Sequence, residues 1–400
     1  MGASGLLSWF VVGLLWAHIV AIFGWVGSSL YFMWLDSKLR PPTPPRDDVF
    51  GEAWMGHGGG FYIVQKRRIA AGQVPSPIYW FRVEAAVTWV TGFLLLVFVY
   101  YWSGGLDLID PTDSPLSPIG AVGVAIALLP ICWIVYDRLW VAGFAERYPA
   151  RANAISLVLL FALIYLLCEL FTGRSAFIHV GAVLGTNMVA SVWTRIIPAQ
   201  EEAVAATKAG RERNSVLAMR AKRRATHNTY LTLPVLFTMI ATHTPATYSP
   251  PFNWFILTLV IALGIAARHL MILFDRRERS GLRWIAGGGP MAAALVVLGL
   301  LVIPSRGVST STRHVPFTVV RGIIDLRCTS CHSRNPSNNV VGAAPNGLRF
   351  DTVQEIVTHA PEIKASALVT HTMPPHNATH MTTEERSLLG IWVDQGAQAN

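Results

Sequence analysis

Charge is what this chain has least of. Of its 400 residues only 14% are Asp, Glu, Lys or Arg, against 52% hydrophobic, and 14 are tryptophan. That balance excludes an ordinary soluble chain and indicates an integral membrane protein. Cysteine is also scarce, with four in all. Cys132 and Cys168 fall in apolar stretches, where they read as small buried hydrophobes. Acidic residues are outnumbered, giving a net charge of +9, but no DNA-binding motif accompanies the excess and no nucleic-acid partner is expected. The basic residues read instead as topology signals beside anionic membrane lipid. Met1 to Ser8 lacks a positive n-region, so no cleavable signal peptide is expected. No internal repeat is evident, which disfavours a transporter.

What is present is apolar sequence in long runs. Eight stretches approach or exceed the length needed to cross a bilayer: Leu6 to Leu35, Tyr79 to Trp102, Pro118 to Leu139, Ala154 to Phe171, Ala176 to Ile197, Tyr230 to His243, Phe252 to Phe274 and Trp284 to Ile303. The sixth is short and contains Pro234; burial among its neighbours, or extension back through Asn228, would rescue it. Lysine and arginine concentrate in the odd-numbered connections, from Lys38 to Arg82, Arg138 to Arg151, Lys208 to Arg224 and Arg276 to Arg283. The second and sixth connections have none, and the fourth only Arg174. The odd connections are therefore expected in the cytoplasm and both chain ends outside.

The stretch that fixes a chemistry is Cys328-Thr329-Ser330-Cys331-His332. This spacing marks attachment of a covalent haem c: both thiols add to the haem vinyl groups and the adjacent histidine reaches the iron. A redox dithiol or half of a zinc site is the alternative, but there is no second cysteine pair and no thioredoxin-like βαβ pattern. Met373, in Thr372-Met373-Pro374-Pro375-His376-Asn377, is the expected sixth ligand, since a thioether raises the haem potential. His371, His376, His380 and Met381 are nearby competitors. Val319, Val320, Ile323, Ile324 and Leu326 give an apolar helix face before the motif. Thr382 and Glu385 form a capping-box pattern ahead of Leu388, Leu389, Trp392 and Val393, so the first and last helices should pack together.

The fold class expected is thus all-α: a polytopic helical membrane bundle of eight spans over residues 1–303, a Ser/Thr-rich linker over 304–316, and a small class I-like cytochrome c domain over 317–400. The placement is multi-pass in a bacterial inner membrane, with the N-terminus and the haem domain in the periplasm, where c-type haem is attached. Seven or nine crossings would strand the haem motif inside.

Ionisable side chains within spans are costly and are functional candidates. His18 lies about 18 Å into the first span at 1.5 Å per residue. Glu169, Arg174, His179 and His243 belong to the outer half, while Arg268, His269, Arg195, Glu84, His57 and His227 lie toward the inner side. Taken singly, each is as readily a helix–helix hydrogen bond or a headgroup contact. Taken jointly, the outer group with His18 is the candidate catalytic set. His18 facing His243 or His179 could ligate a second haem, of b type, or a metal, or handle protons. Gly56-His57-Gly58-Gly59-Gly60 is too short a signal for a phosphate loop and is expected to pack tightly at the interface.

Nearly end to end, the chain resembles the bacterial membrane-bound urate oxidase (urate hydroxylase) family, which joins a multi-span domain to a C-terminal cytochrome c. The resemblance is carried by His57 to Tyr62, by Phe177-Ile178-His179-Val180-Gly181-Ala182 with Gly185-Thr186, by Ile196 to Gln200, by Asn228 to Val235 leading to His243, by Arg268-His269, and by Met373-Pro374-Pro375 with Asn377, Thr379, Met381 and Thr382. It implies two-electron oxidation of urate to 5-hydroxyisourate, with water as oxygen source. Electrons would pass to haem c and on to a soluble cytochrome c or terminal oxidase. Arg174, or Arg268 if the pocket opens inward, would hold the urate anion, and a histidine or Glu169 would accept a proton. Two other readings use the same architecture: a membrane-anchored cytochrome c electron relay, and a quinol-oxidising subunit.

Overall fold

A backbone crossing an apolar medium must satisfy its own hydrogen bonds, and long apolar runs therefore close into helices. A computed structural model describes residues 3–109, 114–248, 250, 252–275, 281–302, 314–337, 344–369 and 373–399. Its helices in chain order are α1 (Ala3–Ile22), α2 (Ser28–Lys38), α3 (Arg82–Leu96), α4 (Pro118–Val141), α5 (Gly143–Arg147), α6 (Pro149–Leu170), α7 (Gly173–Ser191), α8 (Ile197–Lys208), α9 (Ser215–Ala241), α10 (Pro245–Tyr248), α11 (Asn253–Asp275), α12 (Gly281–Val302), α13 (Phe317–Arg327), α14 (Val353–Thr358), α15 (Ala360–Lys364) and α16 (Thr383–Asp394). Short π-helical segments at Phe23–Gly27 and Val192–Ile196 join α1 to α2 and α7 to α8, and a third, Val97–Tyr101, extends α3.

Among the described residues, six helical bodies are long and apolar enough to cross a membrane: Leu6–Lys38, Arg82–Tyr101, Pro118–Val141, Pro149–Leu170, Gly173–Lys208 and Asn253–Asp275. They are compatible with a membrane protein. The expected sixth and eighth stretches are also helical, but neither meets that measure. The sixth is not short: it belongs to the 27-residue α9, whose first half carries Arg220, Lys222, Arg223 and Arg224. Within the 22-residue α12, Gly288–Gly299 is a described apolar stretch. Residue 303, the linker residues 304–313 and the basic residues Arg276, Arg277 and Arg279 lie outside the described residues.

The all-α expectation needs one correction. Val49–His57 and Gly60–Arg67 pair as an antiparallel β1–β2 hairpin. Gly58 and Gly59 form its turn, with φ of 58° and 80°; two positive φ values in a two-residue loop are what the primed hairpin turns require. The glycine run that reads as interface packing is therefore a chain reversal.

Helix α9 sits against both α7 and α11. Its close approach to α7 depends on Gly181, where a Cβ would lie 2.0 Å from Thr238 Oγ1, and to α11 on Gly264, where a Cβ would lie 2.9 Å from Pro234 Cδ. Pro234 supplies no N–H to the helix, but the helix runs on to Ala241 with the ring seated on Gly264. A main core of Phe177, Val180, Leu184, Val235, Leu257, Ile261 and their neighbours surrounds this junction. A second core uses Val320, Ile323, Ile324, Leu389 and Trp392, with Phe317 and Trp392 rings 5.9 Å apart, so α13 and α16 pack together as expected.

Gly181→Ala should lower the unfolding free energy by about 1–3 kcal/mol through overpacking. Adding Thr238→Ala should recover most of it, read by thermal unfolding of purified protein in detergent. No loss in the single variant would show that this contact does not set the α7–α9 spacing.

Candidate functional site

The outer group of candidates does not converge on one point. The π segment at Val97–Tyr101 turns two consecutive tyrosines into the core. Tyr101 Oη lies 3.0 Å from His179 Nε2, and His179 Nδ1 lies 2.7 Å from the Ser175 carbonyl. A carbonyl only accepts, so Nδ1 carries the proton and Nε2 accepts from the tyrosine. Both ring nitrogens of His179, which is 2% exposed, are thus engaged, and a ligand role would first break the Tyr101 bond. Arg174 stands over the Tyr100 ring at 5.9 Å, while Glu169 and His243 are exposed. His18 is buried, with Nδ1 2.9 Å from Thr91 Oγ1. Its described contacts therefore lie on α3: no hydrogen bond or ring contact joins it to His179 or His243, in place of the expected pairing. Among the described residues no group of three or more His, Cys, Asp or Glu side chains converges as a metal site.

The inner-half candidates are more closely organised. Asp137 accepts from Arg195 Nε at 3.0 Å and from Arg224 Nη2 at 2.7 Å, tying α4 to the π segment at Val192–Ile196 and to α9. His227 meets Tyr136 Oη at 2.8 Å, and His269 meets Tyr230 Oη at 2.9 Å.

Beside these lies a cavity of about 450 Å³ between the first helical body, the segment before α3, the α7–α8 junction and α9, within the usual range for small-molecule sites. Two of the four π segments among the described residues open onto it, one through Trp25 and Val26 and the other through Val192 and Ile196; π segments often mark functional sites. Aromatic faces come from Trp25, Phe32, Tyr79, Trp80 and Phe81, and hydrogen-bonding groups from Ser28, Ser29, Gln200, Asn228, Thr229 and Thr232. Met33 forms part of the wall. Its sulfur accepts from Arg268 Nη2 at 2.9 Å and Thr229 Oγ1 at 3.4 Å. Arg268 is 2% exposed. Its Nη1 reaches Met271 Sδ at 3.9 Å, and its Nε is buried without an acceptor.

In the carboxy-terminal segment, α13 ends at Cys328, and the chain turns through Cys331 and His332 by backbone bonds from both residues to the Cys328 carbonyl. Both thiols are unpaired. Burial pushes the Cys328 thiol up to about 12. His332 Nδ1 lies 3.1 Å from the Leu348 carbonyl. The same donor logic places the proton on Nδ1 and leaves the Nε2 lone pair free to ligate. Phe350 packs 5.0 Å from the imidazole. Met373 is half-buried on a loop pinned by Arg386, whose Nη1 donates to the Met373 carbonyl at 2.7 Å and to the Ala367 carbonyl. Of the competing ligands, Met381 is committed to the second core and His380 is exposed. His371, like Thr372 beside Met373, lies outside the described residues, and so does the side chain of His376.

Sequence reasoning singled out Arg268 and the Asn228 to Val235 stretch but missed Met33, Trp25, Trp80 and Tyr101. Their signal was an aromatic concentration near span ends, which is ordinary at membrane interfaces.

Apolar helices of spanning length, with a half-open cavity lined by aromatic and polar side chains between them, make up a helical bundle compatible with a membrane protein. The chain belongs to the urate oxidase N-terminal family, whose model matches residues 4–301. It is thus related to urate oxidases, oxidoreductases whose substrate is urate. No curated protein and no solved structure matches it.

The cap of α16 is titratable. Burial alone would raise the Glu385 carboxyl, but the Arg327 guanidinium and the Thr382 amide hold it below its ordinary value of 4.5. Stability from a depressed carboxyl is complete above the unfolded value and is lost as pH falls through the folded one. The α13–α16 unit should therefore weaken below about pH 4.5. Glu385→Gln should flatten that acid limb in circular-dichroism melts of the full chain; an unchanged limb would remove Glu385 from the account.

Proposed function

We propose that this protein is a membrane-bound urate oxidase of eight spans over residues 1–303, followed by a linker over 304–316 and a periplasmic cytochrome c domain over 317–400 that takes the electrons from urate. The reaction is urate plus water giving 5-hydroxyisourate, two protons and two electrons. The observation that carries the electron acceptor is the Cys328, Cys331 and His332 set, whose thiol spacing and free Nε2 fit a covalent haem. Family membership over residues 4–301 supports the substrate.

In this reading Cys328 and Cys331 would hold the haem covalently, and His332 and Met373 would ligate its iron. When bound, haem c supplies a one-electron acceptor, used twice per urate. The chain's own part is to orient these groups. The Leu348 carbonyl fixes the His332 tautomer, Phe350 restrains the ring, and Arg386 holds the Met373 loop. The basic odd-numbered connections support an inward placement of those loops and an outward haem, from which a soluble cytochrome c or terminal oxidase would collect electrons. His18, Glu169, Arg174, His179 and His243 are proposed to serve proton release, His179 through its bond to Tyr101.

The test is anaerobic. Urate added to oxidised membranes containing the protein should bring up the reduced haem c absorption bands, and xanthine or allantoin should not. Cys328→Ser with Cys331→Ser should abolish the bands, and Met373→Ala should lower the haem potential in a redox titration. Bands that dithionite reduces but urate leaves unchanged would sink the urate reading in favour of an electron relay.

A further inference from the structure

We propose that the cavity walled by Met33 is the urate-binding site, with Arg268 as its charge anchor and the Met33 side chain as the group that withdraws to let them meet. The inference rests on the urate reading above and adds where, and from which side, the anion is bound.

Arg268 is the point of departure. A guanidinium is charged at every accessible pH and offers five N–H donors in a fixed plane. Here it is 2% exposed, its Nε has no acceptor, and among the described residues its terminal nitrogens hydrogen-bond to two thioether sulfurs, those of Met33 and Met271. Thioethers are weak acceptors with no charge to offer. Asp275, on the same helix, contributes only a through-space attraction, not an ion pair. Arg224, equally buried, has the Asp137 carboxylate at 2.7 Å. An unpaired cation buried among long apolar helices is costly, and an anionic ligand removes that cost.

One side chain stands between this cation and the cavity. Met33 lines the cavity and touches Arg268 Nη2 at 2.9 Å. Methionine is unbranched and readily changes rotamer, so its sulfur can be exchanged for a ligand oxygen without moving the backbone. The rest of the wall suits a flat, anionic, heteroaromatic ring system. Trp25, Phe32 and Trp80 offer faces for stacking, and Ser29, Gln200 and Asn228 offer donors and acceptors for ring N–H and carbonyl groups. Binding of a planar anion by guanidinium in a bidentate manner is the strong form of this contact.

The basic residues also indicate the side of approach. Met33 precedes Lys38 and Arg40, Trp80 precedes Arg82, and Gln200 precedes Lys208. These are the ends that the positive charges place in the cytoplasm, so urate is taken from the inner side, opposite the proposed haem.

The test is equilibrium binding of radiolabelled urate to the full-length protein, reduced with dithionite so that no urate is consumed. Arg268→Gln should weaken binding by about thirty-fold or more and Arg268→Lys by less. A second measurement leaves Arg268 intact: in Ser29→Cys, urate should slow alkylation of the introduced thiol, which decides the matter if the Arg268 variants do not fold. Wild-type affinity in Arg268→Gln, or alkylation that urate does not slow, would overturn the site. The same preparation, before dithionite, reports whether urate reduces the haem. Reduction there with either overturning result would reject this site and leave the urate reading standing, whereas its absence would reject the urate reading itself.

Discussion

Every polar side chain carried into long apolar helices has to find a partner there, because no solvent will supply one. The bundle is organised by how that demand is met. Thr91 on α3 takes His18 of α1, and Thr186 of α7 takes the Trp89 indole of α3. Tyr101 beyond α3 takes His179 of α7, Tyr136 of α4 takes His227 of α9, and Tyr230 of α9 takes His269 of α11. Each of these bonds crosses between helical bodies, so each also fixes a helix rotation. Dispersion and small-residue contact set how closely the helices lie, and these polar pairs set which faces meet.

Helix α9 shows both effects at once. It is too basic in its first half to count as an apolar span, yet it touches α7 through Gly181 and α11 through Gly264. Asn228 on α9 donates to the Met188 carbonyl of α7 at 3.0 Å, next to the cavity that both residues line. The π segments contribute in the same places. An added residue in one turn rotates every later turn of the helix, which brings Trp25 and Val192 to one cavity and sends Tyr100 and Tyr101 to the outer cluster.

Much of this was legible in the amino-acid sequence because it depends on local pattern. Apolar runs marked the helices, and Thr382 with Glu385 marked the start of α16 by a capping box that is present on both sides. The apolar faces of α13 and α16 anticipated their packing. What escaped depends on partners far apart in the chain. The β1–β2 hairpin mixes Phe50, Trp54 and Phe61 with Glu52, Lys66 and Arg67, without the clean alternation that announces a strand. Nothing in spacing distinguishes a π turn from an α turn. His18 and His179 were rightly seen as buried polar groups, but a histidine accepts from a threonine or tyrosine as readily as it binds iron, and only the fold chooses. Arg268 stood out as one ionisable residue among several; that no carboxylate among the described residues pairs with it became visible only in three dimensions.

That difference between Arg268 and Arg224 separates structural from exchangeable charge. Arg224 and Arg195 share the Asp137 carboxylate, and Arg224 also lies over the Tyr136 and Trp133 rings, although its Nη1 is buried without an acceptor. Opening this arrangement would leave a carboxylate stranded as well as two cations, so it is suited to holding helices together and poorly suited to binding anything else. Arg268 is held by sulfurs that lose little when displaced. A weak neutral partner holds the guanidinium against Met33, a residue of the cavity wall, without neutralising it, which would preserve its attraction for an incoming anion. A carboxylate in the same place would make a more stable resting protein and a worse anion site. Leaving one buried cation without a described carboxylate partner, close to a cavity large enough for a small heterocycle, is the arrangement expected where stability has been exchanged for binding.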